Sequence, residues 1–374
     1  MKVLFLTNIP SPYRVEFFSL LGKQCDLTVI YELEYATNRD KKWKVDVKKT
    51  YKEIFLNAKR VLADGGFSFN VLKYLNKKYD FIIVGTHGTP IAKLAMIYMR
   101  IRKIPYILNL DGALTYTLEN RSKINLFLRK IMFQGAKYYL TTNDESIKYL
   151  NFFGIKKEKI YKYRFSSIKQ NDIKNDIQEK EKKDLLKQKL GIKEKYVIIS
   201  VGRLSVDGDI FAKGFDKVLL ASKYFKDDIG IYIIGADIID SYKKIIKENK
   251  LRKIYFEGFK NKYELDEYYS VADIFVFMSK CDTWGLVINE ALAKGLPIIT
   301  TDHCGAGLEL IKNYKNGFLL HTGDYVSLGK KINEILDNEK LKKSMRDNNY
   351  KLAMEYTIEK MVIDHINILK KIKG

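Results

Sequence analysis

Short apolar runs alternate with amphipathic stretches along most of the chain. The first half contains six runs that predict strands: Lys2–Thr7, Leu27–Tyr31, Glu53–Leu56, Phe81–Gly85, Tyr106–Leu110 and Tyr138–Thr142. The second half contains five more: Tyr196–Val201, Ile229–Ile234, Ile254–Phe256, Ile274–Met278 and Pro297–Thr300. Strands separated by helical segments are typical of parallel, doubly wound sheets. The pattern therefore predicts an α/β protein with two Rossmann-like domains that face each other across a cleft.

Residues 166–195 interrupt this rhythm. The segment is rich in lysine and acidic residues and has few apolar residues before Leu185, so we predict an interdomain linker there. The linker would separate an N-terminal domain, residues 1–165, from a C-terminal domain, residues 196–351. A chain of 374 residues is longer than a single hydrophobic core usually supports, which also favours two domains. The pattern of Tyr350–Lys373 predicts a final helix.

The chain carries a formal net charge of +22, which attracts nucleic acid or an anionic membrane surface. Most lysines are mixed with acidic residues, as on solvated helix faces. One cluster differs, because Met99–Lys103 and Lys123–Phe133 combine apolar residues at helical spacing with Arg129 and Lys130. This pattern is compatible with a helix that lies on a bilayer, and also with an ordinary helix that faces its own core.

Hydropathy and cysteine spacing narrow the class of protein further. No run reaches the roughly 18 consecutive apolar residues of a membrane span, and Met1–Thr7 is too short for a signal peptide. We therefore expect a cytoplasmic protein, with peripheral contact at the inner face of the cell membrane as an open alternative. Cys25, Cys281 and Cys304 are far apart and lack metal-ligand spacing, so we expect neither a disulfide framework nor a zinc site.

The stretch Ser279–Thr300 carries the most specific chemistry. We predict a loop, a helix that begins at Gly285 and is closed by Gly295, and then a short strand. The start of such a helix directs unpaired N–H groups and the positive end of its dipole outward, which suits a phosphate group. Glu290, inside the helix, can accept hydrogen bonds from ribose hydroxyls. With Asp282 on the same wall, these features predict a nucleotide-sugar site.

Two acids separated by seven residues, with Trp284-Gly285-Leu286 between them and Ala291–Ile298 after them, resemble the motif of a known enzyme family. That family is the retaining glycosyltransferases of family 4, or glycosyl transferases group 1, which have the two-domain GT-B fold. The resemblance implies that Glu290 binds the donor ribose. It also implies that Asp282, one methylene shorter than the family's usual glutamate, contacts the donor sugar. Further donor-binding residues would be Gly285, Leu286 and Val287.

Two cations are expected at the donor diphosphate. Gly202 ends the strand Tyr196–Val201 and allows a sharp turn, so that Arg203 projects from the carboxyl end of the sheet. Lys213, just before the next helix, supplies the second cation. Fixed cations stabilise the negative charge that develops on a departing nucleoside diphosphate. The family resemblance implies this contact for both residues.

The loop between these cations contains Asp207-Gly208-Asp209. Two acids that flank one residue can hold a divalent cation, but we favour a tight turn, because Arg203 and Lys213 would already neutralise the diphosphate. We therefore expect no metal ion and no cofactor beyond the nucleotide-sugar substrate.

Two more loops are implied to lie near the donor. Gly258 follows the strand Ile254–Phe256, and we expect the backbone from there through Phe259 to Lys260 to contact the nucleotide base. The glycines of His303–Glu309 lead from a strand into a helix that carries an acid, as a glycine-rich turn does close to the donor in the family.

The N-terminal domain is expected to bind the acceptor, and the family implies that the last helix, residues 352–374, packs on it. Arg14, at the start of the first helix, is predicted to contact phosphate or acceptor, with a solvent-exposed position as the alternative. Asp111 follows the strand Tyr106–Leu110, where many relatives have a histidine implicated in acceptor or sugar contacts. His87 is the competing candidate for that role.

The resulting interpretation is a metal-independent, retaining hexosyltransferase that moves a sugar from a nucleotide-sugar donor, expected to be a UDP-sugar, to a glycan acceptor. Family analogy and the basic charge favour an acceptor linked to a lipid diphosphate, in capsule or O-antigen type polysaccharide biosynthesis. One alternative is a GT-B-fold nucleotide-sugar epimerase, which would release an isomerised donor. Another is a basic nucleic-acid-binding protein, whose affinity would fall steeply with salt. No segment resembles a nucleic-acid-reading module, so we expect no nucleic-acid partner.

Overall fold

The computed structural model describes residues 1–39, 47–119, 121–173, 180–204, 208–226 and 228–374. The chain divides into two units. The first comprises Met1–Ser167 and Thr357–Gly374, and the second comprises Ile168–Tyr356. The sequence predicts boundaries at residues 165, 196 and 351. The described part of the predicted linker lies almost entirely in the second unit.

The strands are β1 Lys2–Thr7, β2 Asp26–Tyr31, β3 Lys52–Phe55, β4 Lys59–Leu62, β5 Gly65–Phe67, β6 Phe81–Val84, β7 Ile107–Leu110, β8 Tyr138–Thr141, β9 Ile160–Lys162, β10 Tyr196–Val201, β11 Ile229–Ile234, β12 Ile254–Glu257, β13 Ile274–Phe277, β14 Ile298–Thr301 and β15 Gly317–Leu320. The α-helices are α1 Pro12–Leu21, α2 Pro90–Ile101, α3 Lys123–Phe133, α4 Asp144–Phe152, α5 Lys180–Lys189, α6 Phe215–Ala221, α7 Asp240–Glu248, α8 Lys262–Val271, α9 Leu286–Ala293, α10 Gly305–Leu310, α11 Tyr325–Asp337, α12 Glu339–Glu355 and α13 Ile358–Lys373. Within the described ranges, none of the helices combines the length and apolar character needed to cross a membrane.

The first unit is built on a parallel sheet whose described strands lie in the order β3-β2-β1-β6-β7-β8-β9. Val3, Leu4, Phe5 and Leu6 of β1 are fully buried. Strands of a parallel sheet that are buried on both faces have continuous apolar sequences, which is why the pattern located them. The six strands predicted for this half are confirmed to within one residue at each end. The pattern missed β9 and the antiparallel pair β4–β5, because these strands are short and largely polar or half-exposed.

The second unit contains a parallel sheet in the order β12-β11-β10-β13-β14-β15. The five strands predicted here are also confirmed to within one residue. β15 was missed, because a four-residue apolar run that begins with glycine does not distinguish a strand from a loop. The strands β10, β13 and β14 are neighbours, so the loops after them share one edge of the sheet. Ligands of such sheets bind at this carboxyl edge.

The segment Tyr350–Lys373 is helical, as its pattern predicts, but it contains the end of one helix and the whole of another. α12 ends at Glu355 and α13 begins at Ile358. Thr357 separates them, and its side-chain oxygen accepts a hydrogen bond from the Lys360 backbone N–H at 3.3 Å, as an N-cap does. α13 packs against α1 in the first unit, and the buried His365 ring lies 4.8 Å from the Phe17 ring.

Candidate functional site

The helix expected at the motif is present, and its start requires glycine. Gly285 has φ +92° and caps α9, and Gly295, with φ +66°, follows its end. A Cβ on Gly285 would lie 2.8 Å from the Cys304 sulfur, so a side chain would meet both a clash and an unfavourable backbone angle. The prediction of a helix between these two glycines is confirmed. Its first residues, Leu286 and Val287, are half-buried.

Lys213 and Asp282, predicted from separate loops, are in direct contact. The Lys213 ammonium donates to Asp282 Oδ2 at 2.6 Å, and the Trp284 backbone N–H donates to Asp282 Oδ1 at 3.1 Å. Lys213 precedes α6 and Asp282 follows β13, so adjacent strand ends bring them together. Their side chains are 13% and 21% exposed, respectively. The pair is therefore partly shielded and still accessible.

Backbone contacts hold the two loops against each other. The Lys280 N–H and the Ser279 hydroxyl both donate to the Ala212 carbonyl, at 2.9 and 3.1 Å. The Thr301 hydroxyl, at the end of β14, donates to the Ser279 carbonyl at 2.7 Å. A Cβ on Gly214 would lie 1.8 Å from the Met278 carbonyl oxygen, so this close approach depends on glycine. The position of Lys213 is thus set by the scaffold.

Asp209 forms a turn, as favoured from the sequence. Its Oδ1 accepts from the Phe211 N–H at 2.8 Å, and its Oδ2 pairs with Lys280 at 3.1 Å. The backbone hydrogen bond, together with Lys280, lowers the pKa of Asp209. Its predicted partner Asp207 lies outside the described residues. Among the described residues, no group of three His, Cys, Asp or Glu side chains is arranged as metal ligands would be.

Glu290 has a partner that the sequence did not reveal. The buried Tyr269 hydroxyl, on α8, donates to Glu290 Oε2 at 3.0 Å. Burial and the nearby Glu290 carboxylate raise the pKa of Tyr269, so the phenol stays protonated and donates. Tyr269 lies 21 residues before Glu290 on another helix, and no local pattern marks it as a site residue.

The other predicted donor residues lie at neighbouring strand ends. Gly202 continues β10, with its N–H bonded to the Ile234 carbonyl at 3.0 Å, and the half-exposed Arg203 follows it. The Gly258 carbonyl, after β12, accepts from the Gly235 N–H at 2.8 Å, and Phe259 beside it is exposed. Contact with the base therefore stays a prediction for this segment, and the Gly258 carbonyl oxygen already has a protein partner.

The glycine-rich turn after β14 supports the Asp282 loop. The Asp282 N–H donates to the His303 carbonyl at 3.0 Å, and the Gly305 N–H donates to the Asp282 carbonyl at 3.0 Å. The Cys304 thiol donates to the Trp284 carbonyl at 3.0 Å. Burial raises the pKa of Cys304 to about 12, so this thiol is a packing group. Glu309, on α10, is half-buried.

In the first unit, Arg14 is buried, so the solvent-exposed alternative is wrong. Its guanidinium donates to Asp111 and is surrounded by four aromatic rings, those of Phe5, Tyr13, Phe17 and Phe165. Burial alone would lower the pKa of Arg14, but the Asp111 carboxylate raises it, so the cation persists. The observed contact of Arg14 is therefore with Asp111, and its predicted contact with a phosphate or acceptor stays a prediction.

Asp111 is held by several donors on one oxygen. Its Oδ1 accepts from Arg14, from Asn109 Nδ2 at 2.8 Å and from the Tyr163 hydroxyl at 3.0 Å. The Tyr163 ring in turn lies 4.4 Å from the His365 ring of α13. The side chain of Asp111 is 29% exposed, so one side of the carboxylate is accessible at the carboxyl end of β7.

His87, the competing candidate, lies in the loop after β6. Its Nε2 is 3.3 Å from Arg129 Nη1, and Arg129 also donates to the Tyr149 hydroxyl at 2.8 Å. Desolvation, with the Arg129 guanidinium, lowers the pKa of His87 to about 4, so its imidazole is neutral near pH 7. A neutral imidazole that accepts from Arg129 has its Nδ1 as the donor.

A cavity of about 770 Å³ lies at the opposite, amino end of strands in the second unit. Asp273 and Pro297, which precede β13 and β14, help to line it. Lys183 and Lys342 pair with Asp273 at 2.8 and 3.3 Å. These charges are engaged with one another, and none of the predicted donor residues lines this cavity.

A family model and several known proteins resemble this chain. Residues 182–352 match the family model described as Glycosyl transferases group 1. An N,N'-diacetylbacillosaminyl-diphospho-undecaprenol alpha-1,3-N-acetylgalactosaminyltransferase from Campylobacter jejuni is 25% identical over 369 residues, or 95% of each chain. CapM, a capsular polysaccharide biosynthesis glycosyltransferase from Staphylococcus aureus, is 31% identical over 84 residues, or 22% of each chain.

The fold has solved counterparts. The crystal structure of Anabaena Alr3699/HepE in complex with UDP has a TM-score of 0.78 at 19% identity, covering 99% of this chain and 100% of that chain. This likeness confirms the expected GT-B fold class. The chain is thus a glycosyltransferase, and its residues 182–352 match the family model of the glycosyl transferases group 1.

Proposed function

We propose that this glycosyltransferase moves a sugar from a UDP-sugar to a glycan acceptor linked to a lipid diphosphate, with retention of configuration and without a metal ion. The observation that carries the proposal is the 2.6 Å contact of Lys213 with Asp282 beside the start of α9. A sugar diphosphate joins its sugar and its phosphate through one oxygen. A cation and a carboxylate in contact can therefore bind the phosphate and the sugar, respectively, at the same time.

The cations of the second unit suit the charge that develops in the reaction. As the bond between the anomeric carbon and the phosphate oxygen breaks, negative charge passes to the departing diphosphate. Lys213, Arg203 and the N–H groups at the start of α9 supply positive potential at this edge of the sheet. Because these groups can neutralise the leaving group, we propose that transfer proceeds without a divalent cation.

Retention is proposed from the state of Asp282. Its Oδ2 accepts from Lys213 and its Oδ1 accepts from the Trp284 N–H, so both oxygens are held by hydrogen bonds, and we assign Asp282 to binding the donor and not to a covalent intermediate. We assign retention to attack on the face from which the diphosphate leaves. The acceptor oxygen then bonds to the anomeric carbon, the bond to the phosphate oxygen breaks, and the acceptor proton passes to that phosphate oxygen.

The substrates are proposed from the relatives. HepE was solved with UDP, and the Campylobacter relative is named for a sugar linked to diphospho-undecaprenol. CapM is named for capsular polysaccharide biosynthesis. Together they favour a UDP-sugar as the donor and a lipid-diphosphate-linked glycan as the acceptor, in the assembly of a bacterial surface polysaccharide. In this assignment Glu290 binds the ribose, and Asp111 or His87 contacts the acceptor or the donor sugar.

The first test is slow hydrolysis of donors by the purified protein. A panel of UDP-sugars would be incubated with EDTA, and UDP release compared among wild type, Glu290→Ala and Arg203→Ala. Glu248→Ala, an exposed glutamate at the end of α7, is the matched control. We expect release from one donor that persists in EDTA, is lost in both site variants and is retained in the control. Release that stops in EDTA and returns with Mg²⁺ would overturn metal independence.

Stereochemistry is tested separately on the transferred sugar. NMR of the product formed from an α-linked UDP-sugar should show an α-glycoside. A β-glycoside would overturn retention and leave the donor site intact. An isomerised UDP-sugar, with no transfer, would instead support an epimerase.

A further inference from the structure

The helix α3 carries apolar side chains on its outer side. All eleven of its residues are described, and among them the one buried side chain is Phe133. Its neighbours Leu126 and Met132 are half-buried against the core. Four large apolar side chains face outward instead: Ile124, Phe127, Leu128 and Ile131. α3 therefore carries apolar side chains both against the core and on its outer side.

The end of α2 extends this surface. Ile97 and Ile101, one helical turn apart, are exposed. Arg100 Nη1, between them, donates to the Ile131 carbonyl at 2.7 Å and so ties the end of α2 to the end of α3. We call these six side chains the outer apolar surface: Ile97, Ile101, Ile124, Phe127, Leu128 and Ile131. They are between 39% and 74% exposed, and exposed apolar clusters of this kind mark interaction sites.

The two segments that carry this surface have charges of one sign. The sequence contains no Asp or Glu within residues 90–110 or 121–143. The same stretches contain nine Lys and Arg residues: Lys93, Arg100, Arg102, Lys103, Arg121, Lys123, Arg129, Lys130 and Lys137. All except Arg129 are exposed. Elsewhere in the chain, lysines are mixed with acids, so this segregation is local.

We propose that the outer apolar surface docks on a bilayer of anionic phospholipid. The apolar side chains would enter the interface between headgroups and acyl chains, and the surrounding lysines and arginines would meet lipid phosphates. Basic segments without acidic residues complement a negative surface, and their like charges would oppose pairing with a second copy of the chain. Both considerations favour lipid over another copy of the chain.

The inner side of α3 links docking to the reaction, and this step rests on the proposed function. Arg129 points inward, where it contacts His87 and the Tyr149 hydroxyl. His87 lies in the loop after β6, at the carboxyl edge of the first unit's sheet. A bilayer against α3 would therefore lie next to the edge at which we propose an acceptor that is itself anchored in lipid.

The test is co-sedimentation of the full chain with vesicles. Vesicles of phosphatidylcholine with about 30 mol% phosphatidylglycerol would be compared with pure phosphatidylcholine, at low and high salt. We expect binding to the anionic vesicles that weakens as salt rises. The apolar variant Ile124→Ser with Phe127→Ser, and the charge variant Lys123→Glu with Lys130→Glu, should each bind about tenfold more weakly or worse.

Matched controls distinguish binding through the outer apolar surface from non-specific electrostatic or hydrophobic binding. Lys243→Glu with Lys247→Glu makes the same charge change on the exposed side of α7, and Tyr263→Ser removes an exposed ring on α8. Both should bind as wild type does. Equal binding to neutral vesicles, or wild-type binding by the α3 variants, would overturn the proposal. Dimers in sedimentation velocity that dissociate in the Ile124/Phe127 variant would assign the surface to a second copy and also overturn it.

UDP release from a soluble UDP-sugar is measured on the same samples. All these variants should retain it, which shows that they are folded. Vesicle binding without UDP release in wild type would count against the proposed function alone. UDP release without vesicle binding would count against docking alone.

Discussion

The two units place an ion pair at the carboxyl edge of a parallel sheet and use it differently. In the second unit, Lys213 and Asp282 are both partly exposed and meet through two loops that backbone bonds hold together. In the first, Arg14 is almost fully buried among aromatic rings, and Asp111 alone of the pair reaches the surface. The partly exposed pair of the second unit can exchange its partners for a ligand. The buried arrangement of the first unit holds one carboxylate in place.

The difference has an energetic consequence. Removal of one partner of a buried pair leaves an uncompensated charge, which costs about 3–5 kcal/mol. A pair that remains in contact with water contributes roughly 0–1 kcal/mol. Substitutions in the first unit should therefore reduce stability, and substitutions in the second should reduce activity.

Asp111→Ala is expected to show the largest loss of stability. It leaves the Arg14 cation buried without its carboxylate, so the first unit should lose about 3–5 kcal/mol of unfolding free energy. Hydrogen exchange measured by mass spectrometry in increasing urea would report β1 and β7 separately from the second unit. Asp144→Ala, which removes the exposed partner of Lys162, should cost less than about 1 kcal/mol. Equal losses in the two variants would show that the buried and the exposed ion pair contribute equally to stability.

Lys213→Ala is expected to show the opposite pattern, with a large loss of activity and a small loss of stability. With Lys213 at the leaving group, as we propose, its loss should lower kcat/KM about 10²–10³-fold, while the second unit loses about 1 kcal/mol or less. The measurement is initial-rate UDP release beside a urea titration, with Lys247→Ala as the exposed-lysine control. A loss of stability as large as that of Asp111→Ala, with activity retained, would make Lys213 a structural residue.

The sequence predicted the site at the edge of the second unit's sheet more completely than the Arg14–Asp111 pair of the first unit, for a physical reason. The donor motif is contiguous, so the glycines, the acids and the helix between them are visible within Ser279–Thr300. Arg14 and Asp111 are 97 residues apart, and Tyr163 is a further 52 residues along the chain. Hydrophobic periodicity shows which side chains are buried, and it does not show which buried polar groups meet. For the same reason it located most strands and missed Tyr269.

Buried carboxyl groups extend the comparison to pH. Glu32, fully buried in the first unit, accepts from the Thr89 hydroxyl at 2.5 Å and from the Gly66 N–H at 3.1 Å. Burial, only partly offset by these bonds, raises the pKa of Glu32 from 4.5 to about 7. In the second unit, burial alone would raise the pKa of Asp273, but Lys183 and Lys342 lower it.

The two groups should give the units opposite pH dependences. A raised folded-state pKa means that the contribution of Glu32 is complete below about pH 4.5 and is lost as pH rises through about 7, by roughly 3 kcal/mol. The contribution of Asp273 is present above its unfolded-state pKa and is lost only on strong acidification. Urea titrations of Glu32→Gln should show a flatter stability profile between pH 5 and 8. An unchanged slope would show that Glu32 ionises in the folded state as it does in the unfolded state.

The smallest effect is expected for Tyr269. It tests whether the second unit, like the first, uses a buried hydrogen-bond donor to position a carboxylate. Tyr269 is buried and donates to Glu290, so in the proposed donor site it would act through that carboxylate. If Glu290 binds the ribose as we propose, that contact contributes equally to the ground state and the transition state. Tyr269→Phe should therefore raise the donor KM about three- to tenfold and leave kcat unchanged. Tyr255→Phe, which removes a hydroxyl that donates to Glu194 at 2.6 Å, is the matched control and should change neither constant.

A fall in kcat at constant KM would place Tyr269 in the chemical step, whereas equal effects of both variants would indicate general loosening of the second unit. A raised KM at constant kcat would show that each unit uses a buried donor to position a carboxylate. The units would then differ in whether the carboxylate's ionic partner is accessible to substrate.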